Sequence, residues 1–217
     1  MKSVLIALPL SLIFLIFGTG VSATDTSAER LLNAHKEPHN WLHHHGTYNA
    51  NRFSALKEIN RDNVKELKVA WTYALGGTSG GGIWPIAGLE GTPIVEDGFM
   101  YMVDGWGVLT KIDVREGRAK FVWRMDPATD KDWAGEIACC GIDNKGVAIA
   151  YDKVLSHTLD GRLIATNKED GEIVWESEIA NPEIGETITV APLIVKDMVI
   201  SGVSGGEFGI RGWVPRP

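Results

Sequence analysis

Leu109-Thr110-Lys111-Ile112-Asp113, with Gly117 and then Val122-Trp123, is followed by a second version of itself: Leu163-Ile164-Ala165-Thr166-Asn167, Gly171 and Val174-Trp175. The two openings are 54 positions apart, as are Gly117 and Gly171, and Trp71, Trp123 and Trp175 are spaced by 52. Each copy reads as a strand, an Asx-x-x-x-Gly turn and a strand ending in Trp, which is hairpin chemistry. A second apolar pair precedes each copy: Pro93-Ile94-Val95 with Met100-Tyr101-Met102-Val103, then Val147-Ala148-Ile149-Ala150 with Val154-Leu155. Pro192-Leu193-Ile194-Val195 with Met198-Val199-Ile200 opens a further unit. Short polar turns split each pair, and no long helical periodicity intervenes. About four strands per ~50 residues is the pattern of a β-propeller blade. A β-sandwich would require the equal spacings to be accidental.

The chain is therefore expected to be an all-β propeller holding about three to four blades, where closure of a ring takes about four to eight. One unit ends at Trp71, and the last stops at Arg216-Pro217, before its own turn and Trp. Open β edges would result, so the sequence reads as the N-terminal portion of a longer protein or a truncated product.

Composition agrees with an ordinary folded globular chain. Of 217 residues, 44% are hydrophobic and 23% charged, which argues against a disordered or collagen-like chain. The 28 acidic against 21 basic residues argue against nucleic-acid binding, because phosphate backbones demand a basic face. Residues 1–23 have a signal-peptide anatomy: Lys2, an apolar run from Val4 to Phe17, and Val21-Ser22-Ala23 at the cleavage site. That run is short for a membrane span of about 20 residues, so no transmembrane span is expected after cleavage. Residues 24–217 form the expected domain, a partial propeller exported to an oxidising compartment.

Cys139 and Cys140 are the two cysteines of the chain. Adjacent Cα atoms lie about 3.8 Å apart, below the usual disulfide range of about 4.4–6.8 Å. A bridge between them would be a strained ring that closes no useful loop, so chain-entropy stabilisation is not its purpose. Two free buried thiols and an intermolecular link are the alternatives. Metal binding by the pair alone is disfavoured, since thiolate sites space their ligands. The histidines His43-His44-His45 are not read as a metal site either. Consecutive His cannot all face one ion, and the spacing of His35, His39 and His43 is interrupted by Pro38.

The stretch Ala138-Cys139-Cys140-Gly141-Ile142-Asp143-Asn144-Lys145-Gly146-Val147-Ala148 resembles the Cys-Cys segment of the pyrroloquinoline quinone (PQQ) dehydrogenases of the methanol/ethanol type. Asn63 through Trp71, Glu90 through Val95, Thr158 through Leu163, Thr187 through Pro192 and Gly205 through Gly212 resemble further segments of that family, in the same order. The resemblance implies an eight-bladed propeller with PQQ and a metal near its axis. It implies that Cys139 and Cys140 form a disulfide against one face of the quinone. Glu90 would hydrogen-bond PQQ, Thr189 would donate to a PQQ carboxylate, and Ser204, Gly205 and Gly206 would line the cofactor edge. Glu207 would ligate Ca²⁺ or a lanthanide, ions that favour hard oxygen donors. Lys145 departs from the family's usual Arg, keeping the charge and losing the planar fork.

The implied function is periplasmic oxidation of a small alcohol, with cytochrome c or a quinone as electron acceptor, in the periplasm or at its membrane face. The metal would act as a Lewis acid. The carboxylate base, the Trp facing PQQ and a second metal ligand belong to later blades in the family. No catalytic residue is therefore assigned, and the chain is expected to be inactive alone. A non-catalytic PQQ-repeat propeller used for protein assembly is the alternative. The Cys-Cys pair, Glu207 and the missing lipid-attachment Cys weigh against it.

Overall fold

A half-buried strand is stabilised by the strand it turns back to meet, and the repeat produces this pairing twice. The computed structural model describes residues 25–77, 79–81, 83–138 and 141–214. The signal segment 1–23 and the Cys139–Cys140 pair therefore lie outside the described residues. Two short strands come first, β1 (Ser79–Gly81) and β2 (Trp84–Ile86). A four-stranded antiparallel meander follows: β3 (Ile94–Glu96), β4 (Phe99–Val103), β5 (Leu109–Asp113) and β6 (Lys120–Met125). The second meander is β7 (Ala148–Ala150), β8 (Lys153–His157), β9 (Arg162–Asn167) and β10 (Ile173–Glu178). A third sheet begins with β11 (Leu193–Val195) and β12 (Met198–Ile200). Strictly sequential four-stranded meanders are the sheets of propeller blades.

The repeat extends to a defect in the ladder. Lys111 faces Trp123 while Ile112 faces Phe121, so Val122 is an extra residue in β6. Ala165 faces Trp175 while Thr166 faces Ile173, so Val174 is the extra residue in β10. Such a bulge bends the outer strand and re-aims the next side chain, here the Trp. Trp123 leaves its own sheet for the next one, where its indole N–H donates to the Lys168 carbonyl at 3.0 Å. Its ring covers the turn glycine: a Cβ on Gly171 would sit 2.7 Å from Trp123, and Gly171 has φ +80°. Both facts require glycine there. Trp175 has no such cover and is 39% exposed.

The unit expected to end in Trp71 has no sheet of its own. Residues 67–77 pair with no strand among the described residues, and Val69 is 81% exposed. Nothing lies within 4 Å of a Cβ placed on Gly117, the turn glycine equivalent to Gly171. Alternating pattern alone does not hold a strand; a partner edge must supply the ladder bonds.

Between the two complete sheets lies a core containing Ile94, Leu109, Ile149, Val154 and Ile164, all fully buried, with Trp123. Each such side chain contributes about 1.5–3 kcal/mol. The N-terminal segment joins that core. Thr26 bridges Tyr151 and Trp41 bridges Val95, so the segment straps one sheet to the other. Its short helix α1 (Ala28–Leu32) is capped by Ser27 and buries Leu31. Beneath the strap, Lys168 Nζ meets Glu96 Oε2 at 2.6 Å, with side chains only 3% and 4% exposed. Arg30 binds the other Glu96 oxygen at 2.8 Å, and Thr26 hydrogen-bonds both Glu96 and Lys168.

Candidate functional site

The segments entering the three sheets run side by side. Thr92 N–H donates to the Lys145 carbonyl at 3.1 Å, and Lys145 N–H donates to the Thr189 carbonyl at 2.8 Å. Thr187 and Ser204 exchange backbone hydrogen bonds of 3.3 and 2.7 Å. This ladder brings segments distant in sequence to one end of the sheets, where they surround a cavity of about 330 Å³. Lys145, Thr189, Ser204, Gly205, Gly206 and Glu207 all line it. Ala138 and Gly141, which flank the Cys pair in sequence, line it too. Glu90 is not in the lining; it joins the site through Lys145, whose Nζ lies 3.0 Å from its carboxylate.

Local sequence explains how the loop is held. Asn144 is buried; its amide donates to the His157 carbonyl at 2.8 Å and its oxygen accepts from Gly146 N–H at 3.0 Å. In extended backbone the neighbours of Asn144 point the other way, so Asp143 and Lys145 share the cavity side. Lys145 Nζ lies 2.8 Å from Asp143 Oδ2. The His157 ring holds the adjoining segment: Nδ1–H donates to the Val190 carbonyl at 2.8 Å and Nε2 accepts from Ser201 at 2.8 Å. One residue thus secures both Asn144 and the neighbour of Thr189. Burial pushes the His157 imidazole down to about 4, so the ring is neutral near neutral pH.

On the far wall, Thr189 Oγ1 and Ser204 Oγ are 3.4 Å apart. Gly205 has φ +119°, and a Cβ there would sit 2.3 Å from the Gly185 carbonyl. No other residue fits this turn. It opens the single helical turn Gly206–Phe208, which presents Glu207. A Cβ on Gly206 would meet nothing within 4 Å, so its backbone is open to close approach.

The charges interact. The bond to Lys145 holds the Glu90 carboxyl below its ordinary range. Burial raises the Asp143 carboxyl, against the pull of Lys145. The Asp143 and Glu90 partners raise the Lys145 ammonium. Asp143, Thr187 and His157 were not singled out from the sequence. The Asp-x-Lys spacing, which puts both side chains on one side of a locally extended loop, was the available signal for Asp143.

Volume does not select this cavity. An open hollow of about 780 Å³ is lined by Asp160, Arg162, Glu178 and Glu186. Hollows of about 510 Å³ beside Trp41, Tyr48 and Phe53, and about 280 Å³ beside His43, His44 and Tyr48, are rimmed by the N-terminal strap and contain no carboxylate or lysine. His43 is buried and hydrogen-bonds the Leu31 carbonyl at 2.8 Å. Among the described residues, Glu37, His39 and Asp97 bring potential ligand atoms together, but both carboxylates bind Arg30. No helix among the described residues is long and apolar enough to cross a membrane.

Comparison with known proteins gives one consistent result. Residues 41–206 match the family model for the PQQ glucose/ethanol/alcohol dehydrogenase β-propeller domain. The chain is 40% identical to quinohemoprotein alcohol dehydrogenase ADH-IIG of Pseudomonas putida, across 99% of this chain and 28% of that protein. It is 36% identical to the lanthanide-dependent methanol dehydrogenase of Methylacidiphilum fumariolicum strain SolV, across 86% of this chain and 29% of that protein. The structure of a europium-containing methanol dehydrogenase superposes with a TM-score of 0.78 at 36% identity, covering 86% of this chain and 31% of the other. The chain thus spans less than a third of the length of these relatives.

Proposed function

The chain belongs to the PQQ glucose/ethanol/alcohol dehydrogenase β-propeller family, and from that premise we propose that it forms one wall of the active site of a periplasmic, PQQ-dependent alcohol dehydrogenase. The observation that carries this reading is the convergence of Lys145, Thr189, Ser204, the Gly205-Gly206 turn and Glu207 on one cavity. The donor set suits a planar, carboxylated quinone. Lys145 offers a cation, Thr189 and Ser204 offer hydroxyls, and Gly205-Gly206 lets the backbone come close. Glu207 offers the hard oxygen that Ca²⁺ or a lanthanide requires. Bound PQQ would supply the electrophilic carbonyl that accepts the alcohol's two electrons as a hydride, the hydroxyl proton leaving separately.

The protein's part is binding, orientation and charge. Lys145 holds the quinone edge by a charge-assisted hydrogen bond. Thr189 would donate to a PQQ carboxylate, Ser204 would line the cofactor edge, and Glu207 would hold the metal. For Cys139 and Cys140, which lie outside the described residues, a disulfide against the quinone face is proposed. The electron acceptor is cytochrome c or a quinone. The full activity belongs to the whole protein, and this chain alone is proposed to turn over no alcohol. A PQQ titration of the mature chain, followed by tryptophan fluorescence, tests the site. Thr189→Val and Glu207→Gln should each weaken Ca²⁺-supported binding about tenfold; unchanged binding in both would remove the cofactor assignment.

A further inference from the structure

Lysine is a flexible point charge, whereas arginine brings a rigid fork of its own. An ammonium that is to act at a fixed place needs a second group to fix it. Building on the cofactor reading of the cavity, we propose that Asp143 is that positioning residue: it holds the Lys145 ammonium at the cavity mouth, and an entering anionic ligand takes the donor now given to Glu90.

The two carboxylates that share Lys145 are not equivalent. Asp143 Oδ2 lies at 2.8 Å and its side chain is 10% exposed; Glu90 Oε2 lies at 3.0 Å and its side chain is 53% exposed. Asp143 lines the cavity, and Glu90 does not. Separating Lys145 from Asp143 would strand a desolvated carboxylate, a costly event. Separating it from Glu90 returns that carboxylate to water at little cost. The backbone enforces the same order. Asp143 and Lys145 flank the buried Asn144, whose two hydrogen bonds fix the direction of both neighbours. Glu90 reaches in from another segment and has no such support.

Donor counting completes the argument. An ammonium has three N–H donors; Asp143 and Glu90 take two. With both carboxylates ionised, the cluster carries a net single negative charge and repels an anion. When Glu90 moves off, the Asp143–Lys145 pair is neutral and two donors face the cavity. Asp143 thus gives a lysine the fixed direction that an arginine fork has without help, and Glu90 is the exchangeable partner.

The test uses the mature chain with ¹⁵N-labelled lysine and follows the side-chain ammonium signal of Lys145, assigned by its loss in Lys145→Arg. A hydrogen-bonded, slowly exchanging signal should survive Glu90→Gln and vanish in Asp143→Asn; the reverse pattern overturns the proposal. The same variants are then titrated with PQQ. Asp143→Asn should weaken binding about tenfold, and adding Lys145→Arg in that background should restore most of it, because the fork needs no anchor. Equal binding by the wild type and Asp143→Asn sinks the positioning role and leaves the cofactor reading standing. If the wild type itself binds no PQQ, the cofactor reading fails with the ligand half of this proposal, and the ammonium signal still decides which carboxylate holds Lys145.

Discussion

Removing the Glu96 carboxylate is the most informative single perturbation of the fold. Its side chain is 4% exposed and binds Lys168 at 2.6 Å and Arg30 at 2.8 Å, so it neutralises two cations at once. In Glu96→Gln the Lys168 ammonium, 3% exposed, keeps Thr26 and loses its only counter-charge at contact distance among the described residues. An uncompensated buried charge costs about 3–5 kcal/mol. Lys168→Met differs, because Glu96 keeps Arg30; a loss of about 1–2 kcal/mol is expected. For a domain of this size each kcal/mol is about 2–4 °C in melting temperature. Thermal and urea unfolding of the mature chain should therefore order the variants as wild type, Lys168→Met, then Glu96→Gln, the last lower by roughly 10 °C. The double variant Glu96→Leu/Lys168→Met should lie above Glu96→Gln, since the Lys168 charge is removed together with its partner. Equal, small effects of both single changes would mean that water reaches the pair and that the strap does not seal it.

Gly171→Ala should cost about 2–4 kcal/mol, from its positive φ and from the Trp123 ring 2.7 Å from the new Cβ, whereas Gly117→Ala, with open space around it, should cost only about 1 kcal/mol; equal losses would refute docking of Trp123 on the Gly171 turn. His157, held down to about 4, is neutral in the folded chain and binds a proton more readily when unfolded. Its contribution is thus fully present above about pH 6.5 and is lost as pH falls to about 4, on the order of 3 kcal/mol. Urea unfolding across that range should show this slope in the wild type and a shallower one in His157→Gln; identical slopes would remove His157 as the cause. Exported protein should begin at Thr24 by intact mass and resist alkylation at Cys139 and Cys140 until reduced; two alkylated thiols in native, unreduced protein would rule out the vicinal bridge.

Blade architecture was legible because propeller repeats write their turns into the chain. The equal spacing of Trp123 and Trp175 even preserved the bulged Val122 and Val174, although nothing in those valines signals a bulge. What the Trp does was not legible: its partner, Gly171, lies in the next sheet, and sequence spacing within one unit does not name a contact between two. Trp71 shows the opposite limit, since the same residue pattern forms no strand without an edge to pair with. In the site, the backbone ladder from Thr92 through Lys145 to Thr189 explains why residues far apart in sequence converge. Asp143 was missed because an isolated Asp in a loop carries no periodic signal until Lys145 is seen beside it. The buried network of Thr26, Arg30, Glu96 and Lys168 was missed for a similar reason. Polar and charged residues scattered over 142 positions read as solvated surface until the strap covers them.

The most direct test is to add PQQ with Ca²⁺ to the ¹⁵N-labelled mature chain and map which backbone amide signals move. Shifts should cluster at Gly141, Lys145, Thr189, Ser204, Gly205, Gly206 and Glu207, and leave the hollow at His43, His44 and Tyr48 unchanged. Shifts confined to that second hollow, or scattered over the sheet edges, would contradict the proposed placement of the cofactor in the cavity of Lys145, Thr189 and the Gly205-Gly206 turn.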